Sequence, residues 1–149
     1  KDGSAEGGKD GMDASLISFD FQNKKLKYAS ANNPIWIARL NAETKNYSII
    51  ECPADKMPVG KHDKQNTPFS GHEINLQKGD IVYTLTDGFP DQFGGEKGKK
   101  FMHKQLKELL CSIADQPLTA QQEKLKKVFF EWKGGLEQVD DVCVIGVRV

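Results

Sequence analysis

The chain has 149 residues, a length that suits one domain burying roughly 68–70% of the surface its unfolded form exposes. Hydrophobic residues make up 38% of it and charged residues 28%, which is typical of a folded globular protein. Lysine plus arginine and aspartate plus glutamate number 21 each, so the net charge is zero. This balance disfavours a nucleic-acid-binding domain, which usually carries a basic excess. No apolar run approaches the ~20 residues of a membrane span, so we expect no membrane contact by this domain.

The predicted elements begin after a flexible lead-in, residues 1–11, which is rich in glycine and charge. Alternating apolar and polar residues then predict antiparallel strands joined by short polar turns. The predicted pairs are 12–21 with 26–31, 34–40 with 47–52, and 69–76 with 80–86. A rigid turn at 57–60 separates the second pair from the third.

Two helices and one last strand follow. Apolar residues at helical spacing predict a first helix over 101–113. A capping box at Thr119–Gln122 predicts the start of a second helix, which ends at Gly134–Gly135. The last strand covers 142–149 and, like 81–86, is apolar on both faces, so both are expected mid-sheet and covered on both sides. The predicted fold class is α+β: an antiparallel β-sandwich flanked by helices.

The three cysteines are odd in number and far apart, at Cys52, Cys111 and Cys143. They form neither a zinc pattern nor a disulfide framework. Cys143 lies in the last apolar run and is predicted to be a buried small hydrophobe. Reduced cysteines indicate a cytoplasmic location. The cytoplasmic domain of a membrane-bound sensor would also meet this expectation. Because the chain starts at Lys1 without a methionine or a visible signal peptide, we expect it to be a piece of a longer protein.

Short carboxylates stand at the ends of the two most apolar strands. Asp87 directly follows the strand 81–86, and Asp140-Asp141 directly precedes the last strand. If these strands are neighbours, the acids offer oxygen ligands to a hard divalent cation, and Gly88 leaves room for an ion or water. Asp140 and Asp141 would point to opposite sides, so one of them should share a site with Asp87. The alternatives are a plain Asp-Gly turn and a solvated acidic cap.

The other polar side chains form no recognisable site. His62, His72 and His103 lack the spacing of metal ligands, and surface or half-buried positions are expected for them. Arg39 and Arg148 are the only arginines, so no bidentate phosphate clamp is obvious.

Several short segments, taken in order, carry a family resemblance. They are Met12-Asp13-Ala14-Ser15-Leu16, the run from Leu26 to Pro34, Pro58-Val59-Gly60, the run from Leu76 to Asp80 leading into Thr86-Asp87-Gly88, and Asp140-Asp141-Val142. Together they resemble the SpoIIE-type branch of the 2C-like, metal-dependent protein serine/threonine phosphatases. The similarity runs from about Gly11 to Val149, nearly the whole chain.

The resemblance implies an α-β-β-α sandwich with two Mn²⁺ or Mg²⁺ ions. Asp87 and Asp140 match family metal ligands, Asp141 is the adjacent and weaker candidate, Gly88 falls at a metal-site glycine, and Asp13 is a candidate outer ligand. Metal-activated water, with no catalytic protein nucleophile, would hydrolyse a phosphoserine or phosphothreonine. The implied substrate is a phosphorylated bacterial regulator of the anti-sigma-factor-antagonist type, and an upstream sensor or scaffold domain would control the activity.

One family motif is missing. The first metal motif of the family is an aspartate before a Gly-His-Gly run, and the chain contains no Gly-His-Gly. We therefore expect residues 12–149 to be the C-terminal portion of a phosphatase domain that is incomplete at its N-terminus. A catalytically inactive, phosphatase-like docking domain is the alternative, and a β-sandwich interaction domain whose acids merely cap strands is a third.

Overall fold

The computed structural model describes residues 10–64 and 66–149. Residues 1–9, most of the predicted lead-in, lie outside this described part. The last residue of the lead-in, Gly11, already belongs to a strand and pairs with Gly60. Within the described residues, regular structure thus includes Gly11, one residue before the predicted domain start.

In the described residues, ten strands precede the two helices and one strand follows them. The strands are β1 (Gly11–Met12), β2 (Ala14–Asp20), β3 (Lys25–Ala31), β4 (Ile35–Leu40), β5 (Tyr47–Cys52), β6 (Val59–Gly60), β7 (His72–Asn75), β8 (Ile81–Leu85), β9 (Phe93–Gly94), β10 (Lys99–Lys100) and β11 (Val144–Arg148). The helices are α1 (His103–Ile113) and α2 (Leu118–Lys133), between β10 and β11.

Two antiparallel sheets form the sandwich. One has three strands in the order β2-β3-β7, and the other has four in the order β11-β8-β4-β5. The predicted hairpins β2–β3 and β4–β5 are confirmed, with Asp20 opposite Lys25 and Leu40 opposite Tyr47. Residues 32–34 carry the chain from the first sheet to the second.

The third predicted hairpin is wrong. β7 pairs with β3, whereas β8 pairs with β4 and β11, so residues 77–79 cross between the sheets. Arg39 and the amide of Gln77 both bind the carboxylate of Asp80, which fixes the end of this crossing. Alternation marks a strand as half-buried but does not state which sheet it joins.

Two hydrophobic layers hold the sheets and helices together. Between the sheets lie Leu26, Tyr28, Ile35, Ile37, Cys52, Leu76 and Val82. Between the four-stranded sheet and the helices lie Trp36, Ala38, Ile81, Tyr83, Leu85, Phe89, Phe101, Leu106, Leu110, Ala114 and Phe129. Successive residues of β8 serve both layers because side chains alternate along a strand. The α+β sandwich with a helical layer is confirmed.

Two details of the predicted helices and last strand are wrong. Helix α2 begins at Leu118 after Pro117, with no side-chain cap, so Thr119 lies inside the first turn and forms no capping box. Strand β11 is at the edge of its sheet in the described residues, and Ile145 is 56% exposed. Of these two apolar strands, β8 is mid-sheet, as predicted. The glycine end of α2 is confirmed, since Gly134 has the positive φ of 52° that favours glycine there.

Cys143 is exposed, which corrects the prediction that it is buried. It directly precedes β11, and its amide donates a hydrogen bond to the hydroxyl of Thr86, the residue that follows β8. Cys52 is buried, and burial raises the pKa of its thiol.

A thiol-labelling experiment checks this placement. Iodoacetamide at pH 8 is expected to modify Cys143 of the native protein readily and Cys52 only after denaturation, because alkylation needs an accessible thiolate. Peptide mass spectrometry after timed quenching gives the order. Faster labelling of Cys52 than of Cys143 in the native state would contradict the structure.

Candidate metal centre

The predicted ligands lie along one edge of the sandwich, by which we mean the side where strands begin and end and not an edge strand. At this edge β2 and β11 begin and β3 and β8 end, since Ala14 lies opposite Ala31 and Val144 opposite Leu85. The link from β3 to β4 connects the two sheets at the same edge. Asp13, Asp87 and the pair Asp140-Asp141 thus all lie where strands start or finish on one side of the molecule.

The backbones that carry Asp87 and the acid pair are packed against each other. A Cβ added to the buried Gly88 would lie 2.2 Å from the carbonyl oxygen of Asp141 and 3.2 Å from that of Asp140. Such a distance excludes any side chain at this position, so glycine is required for the close approach.

Thr86 joins the same two segments by hydrogen bonds. Its hydroxyl donates to the carbonyl of Asp141 at 2.9 Å and accepts from the amide of Cys143 at 3.0 Å. Its own amide donates to the carbonyl of Cys143 at 3.0 Å. Strands β8 and β11 are therefore neighbours, as the sequence prediction required.

The carboxylates differ in their partners. The Asp87 side chain is 54% exposed, and its Oδ1 lies 3.3 Å from Nε2 of His103. Asp140 Oδ1 accepts the amide of Asp141 at 2.7 Å, so this carboxylate folds back on the next residue. Asp141 is exposed. Each of the three keeps at least one carboxylate oxygen with no protein hydrogen bond in the described structure.

Asp13 lies at the same edge on the other sheet. Its Oδ1 accepts a hydrogen bond from Nδ2 of Asn32 at 2.7 Å. Asn32 has a positive φ of 59°, which asparagine tolerates better than most residues. This bond ties the start of β2 to the end of β3.

The donor set suits a hard divalent cation in kind, because it consists of carboxylate and carbonyl oxygens around a residue without a side chain. In number it is incomplete: residues 10–64 and 66–149 contain no group of three or more histidine, cysteine, aspartate or glutamate side chains placed to hold one metal ion. The described residues therefore fit part of a coordination shell that needs further ligands.

Both arginines bind groups other than the candidate ligand carboxylates. Arg39 binds Asp80, whose hydrogen bonds raise the pKa of the guanidinium group. Arg148 donates to the carbonyl oxygens of Ala114 and Gln116 at 2.9 and 2.7 Å.

Sequence reasoning gave His103 and Thr86 no role at the candidate centre. His103 is 16 positions from Asp87, and Thr86 is 55 positions from Asp141, so no local spacing rule relates them. The signal that was available was position alone: Thr86 and Asp87 end one strand together, and His103 opens the next long helix.

The sequence matches the family model described as "Stage II sporulation protein E (SpoIIE)" over residues 5–149. The chain belongs to the SpoIIE family. This confirms the resemblance on which the phosphatase reading was based. No curated protein sequence is significantly similar to the chain.

Solved structures agree with the SpoIIE assignment. The SiaA-PP2C domain of Pseudomonas aeruginosa is 27% identical with a TM-score of 0.81, and the match covers 92% of this chain and 51% of that one. The Mn-presoaked phosphatase domain of SpoIIE from Bacillus subtilis is 18% identical with a TM-score of 0.63, covering 92% and 56%. RsbX in complex with magnesium is 18% identical with a TM-score of 0.56, covering 91% and 55%.

The chain spans about half the length of these SpoIIE-like and PP2C-like structures. Its fold is that of a PP2C-like phosphatase domain. No helix in the part of the chain that the structure describes has the length and apolarity needed to cross a membrane.

Proposed function

We propose that this SpoIIE-family chain is the C-terminal portion of a metal-dependent protein serine/threonine phosphatase domain. Family membership supports the reaction class. The observation that carries the proposal is the contact of Gly88 with the Asp140-Asp141 backbone, which brings the acids of two strands to one edge. A β-sandwich interaction domain with merely capping acids does not require this contact.

Asp87 and one of Asp140 and Asp141 would hold the cation, with Asp13 further out on the same edge. Mn²⁺ and Mg²⁺ are the ions proposed, since the relatives include a manganese-soaked SpoIIE domain and a magnesium complex of RsbX. When bound, two such ions would activate water and neutralise charge on the phosphoryl group. Thr86 would keep the two ligand-bearing segments in register, and Gly88 would leave the space between them open.

Neither Cys52 nor Cys111 offers a competing nucleophile. Burial raises the pKa of the thiols of both Cys52 and Cys111, which disfavours the reactive thiolate. Hydrolysis by metal-activated water needs no thiolate, and it is the chemistry that we propose.

The proposed substrate is a phosphoserine or phosphothreonine on a bacterial regulatory protein of the anti-sigma-factor-antagonist type. We further propose a cytoplasmic setting and control by an upstream sensor or scaffold domain. The zero net charge argues against a nucleic-acid partner.

Asp87→Ala in the full-length protein tests the function. Mn²⁺ binding by calorimetry is expected to fall below detection, and hydrolysis of a phosphothreonine peptide to drop by more than about 100-fold, because a direct ligand matters at least as much as its outer partners. Metal-free stability should hardly change, since the side chain is half exposed. Asp91→Ala is the matched control, an acid four residues on that binds Lys100 at the surface. Wild-type Mn²⁺ affinity in Asp87→Ala would refute the site.

A catalytically inactive docking domain is the second candidate. It is favoured by the incomplete ligand set of the described residues and by the Asp140 carboxylate folding onto the Asp141 amide. It predicts that the full-length wild-type protein binds a regulatory partner but does not hydrolyse phosphopeptides with saturating Mn²⁺. Turnover of any phosphothreonine peptide under these conditions, lost in Asp87→Ala, would exclude it.

A further inference from the structure

The segment 101–103 is fastened to the turn that follows Asp87. The amide of Phe101 donates to the carbonyl of Gln92 at 3.0 Å, and the amide of Met102 donates to that of Pro90 at 2.8 Å. The turn itself is closed by the Asp91 amide, which donates to the carbonyl of Asp87 at 2.9 Å. The start of α1 is thus held at a set position relative to Asp87.

Met102, which links the turn to α1, has an unfavourable backbone conformation. Its φ of 77° and ψ of 144° are rare for a residue with a long side chain. Such a conformation persists only where the surroundings enforce it, and it is common near functional sites. Here the buried Phe101 enforces it from one side, with its ring 5.1 Å from that of Phe89 and 5.2 Å from that of Trp132.

The result of this bend is that His103, the first residue of α1, faces Asp87. Nε2 of His103 lies 3.3 Å from Oδ1 of Asp87, and its ring meets the edge of Trp36 at 6.0 Å between centroids. His103 engages one carboxylate oxygen and leaves Oδ2 for another partner. A carboxylate that binds a metal is typically oriented by such a hydrogen bond from outside the coordination shell.

We propose that His103 is a positioning residue that orients the Asp87 carboxylate toward the divalent cation. This inference rests on the proposed function, in which Asp87 is a metal ligand. His103 itself does not bind the metal or the substrate. Its part is to restrict the rotation of the exposed Asp87 side chain before the ion arrives.

The test compares two substitutions of His103 in the full-length protein by Mn²⁺ titration calorimetry. His103→Phe keeps the ring against Trp36 but removes the hydrogen bond, and we expect Mn²⁺ affinity to fall about 10-fold. His103→Gln keeps a hydrogen-bond donor. Its Mn²⁺ affinity should therefore stay within about twofold of the wild-type value, since loss of such an outer hydrogen bond is what typically weakens metal binding. His72→Phe is the matched control, because His72 in β7 is an exposed histidine that stacks on Tyr28 of β3.

A second measurement does not depend on the folding of the His103 variants. In the metal-free protein, Asp87→Asn should shift the ring ¹⁵N resonances of His103 and leave those of His72 unchanged. Unchanged His103 resonances would overturn the proposal. So would wild-type Mn²⁺ affinity in His103→Phe, or equal losses in His103→Phe and His103→Gln, which would indicate packing instead of the hydrogen bond.

The outcome for Asp87→Ala separates this inference from the proposed function. If Asp87→Ala loses Mn²⁺ and His103→Phe does not, Asp87 is a ligand and only the role of His103 is wrong. If Asp87→Ala keeps wild-type Mn²⁺ affinity, both the metal site and the role of His103 are wrong.

Discussion

Gly88→Ala is expected to destabilise the fold by about 1–3 kcal/mol and to weaken Mn²⁺ binding by more than about tenfold. The new methyl group would lie 2.2 Å from the carbonyl oxygen of Asp141, a backbone atom that cannot rotate away. The Asp140-Asp141 segment must therefore move outward, which separates its carboxylates from Asp87. Urea denaturation of the metal-free full-length protein measures the first effect, and Mn²⁺ calorimetry the second.

Gly71→Ala controls for the general effect of replacing glycine. A Cβ at Gly71 meets nothing within 4 Å, and its φ is not in the positive range, so alanine fits there. Its denaturation midpoint and Mn²⁺ affinity should match the wild-type values. If Gly88→Ala behaves like Gly71→Ala, the close packing of the two acidic segments is wrong.

Arg39→Ala is expected to cost at least about 3 kcal/mol of unfolding free energy, since removing one partner of a buried ion pair leaves the other charge uncompensated. The Asp80 side chain is 2% exposed, and Arg39 contacts it through Nε at 3.0 Å and Nη2 at 2.7 Å. Equilibrium denaturation at neutral pH measures the loss. The expected site of damage is the crossing between the sheets, where the amide of Gln77 shares the same carboxylate.

Glu73→Ala is the matched control for a surface pair. Glu73 binds Lys25 at 3.1 Å with both side chains 45% exposed, and solvent screens such contacts. Its denaturation midpoint is expected to stay near that of the wild-type protein. A similar loss in Arg39→Ala and Glu73→Ala would show that burial of Asp80 does not give its ion pair special weight.

Local patterns predicted the parts of the fold that depend on nearby residues. The β2–β3 hairpin followed from alternation on both sides of a four-residue polar turn, and the end of α2 followed from Gly134. The start of α2 was misplaced because Pro117, whose fixed φ suits a helix start, competes with the Thr119 pattern two residues later.

Patterns that depend on distant partners predicted less. The run into β8 was read as a hairpin because a short turn joins two alternating segments, yet the segments belong to different sheets. β11 was expected mid-sheet because it is apolar on both faces. Apolarity records that a strand is to be covered and does not identify which residues cover it.

The candidate centre divides in the same way. Asp87, Gly88, Asp140 and Asp141 were found from the sequence because strand ends are visible as abrupt changes from apolar to acidic residues. The contact of Gly88 with the backbone of Asp141, and the contact of His103 with Asp87, were not visible.

The amino-acid order alone determined where the longer strands lie, to within a few residues at each end, and which acids stand beside them, because these follow from side-chain alternation and turn chemistry. The tertiary structure decided that β8 and β11 are neighbours, that Gly88 touches Asp141 and that α1 starts beside Asp87. These contacts join residues from 16 positions apart (His103 and Asp87) to 67 positions apart (Arg148 and Ile81). They depend on strand pairing and on the bend at Met102, and neither has a local sequence signature.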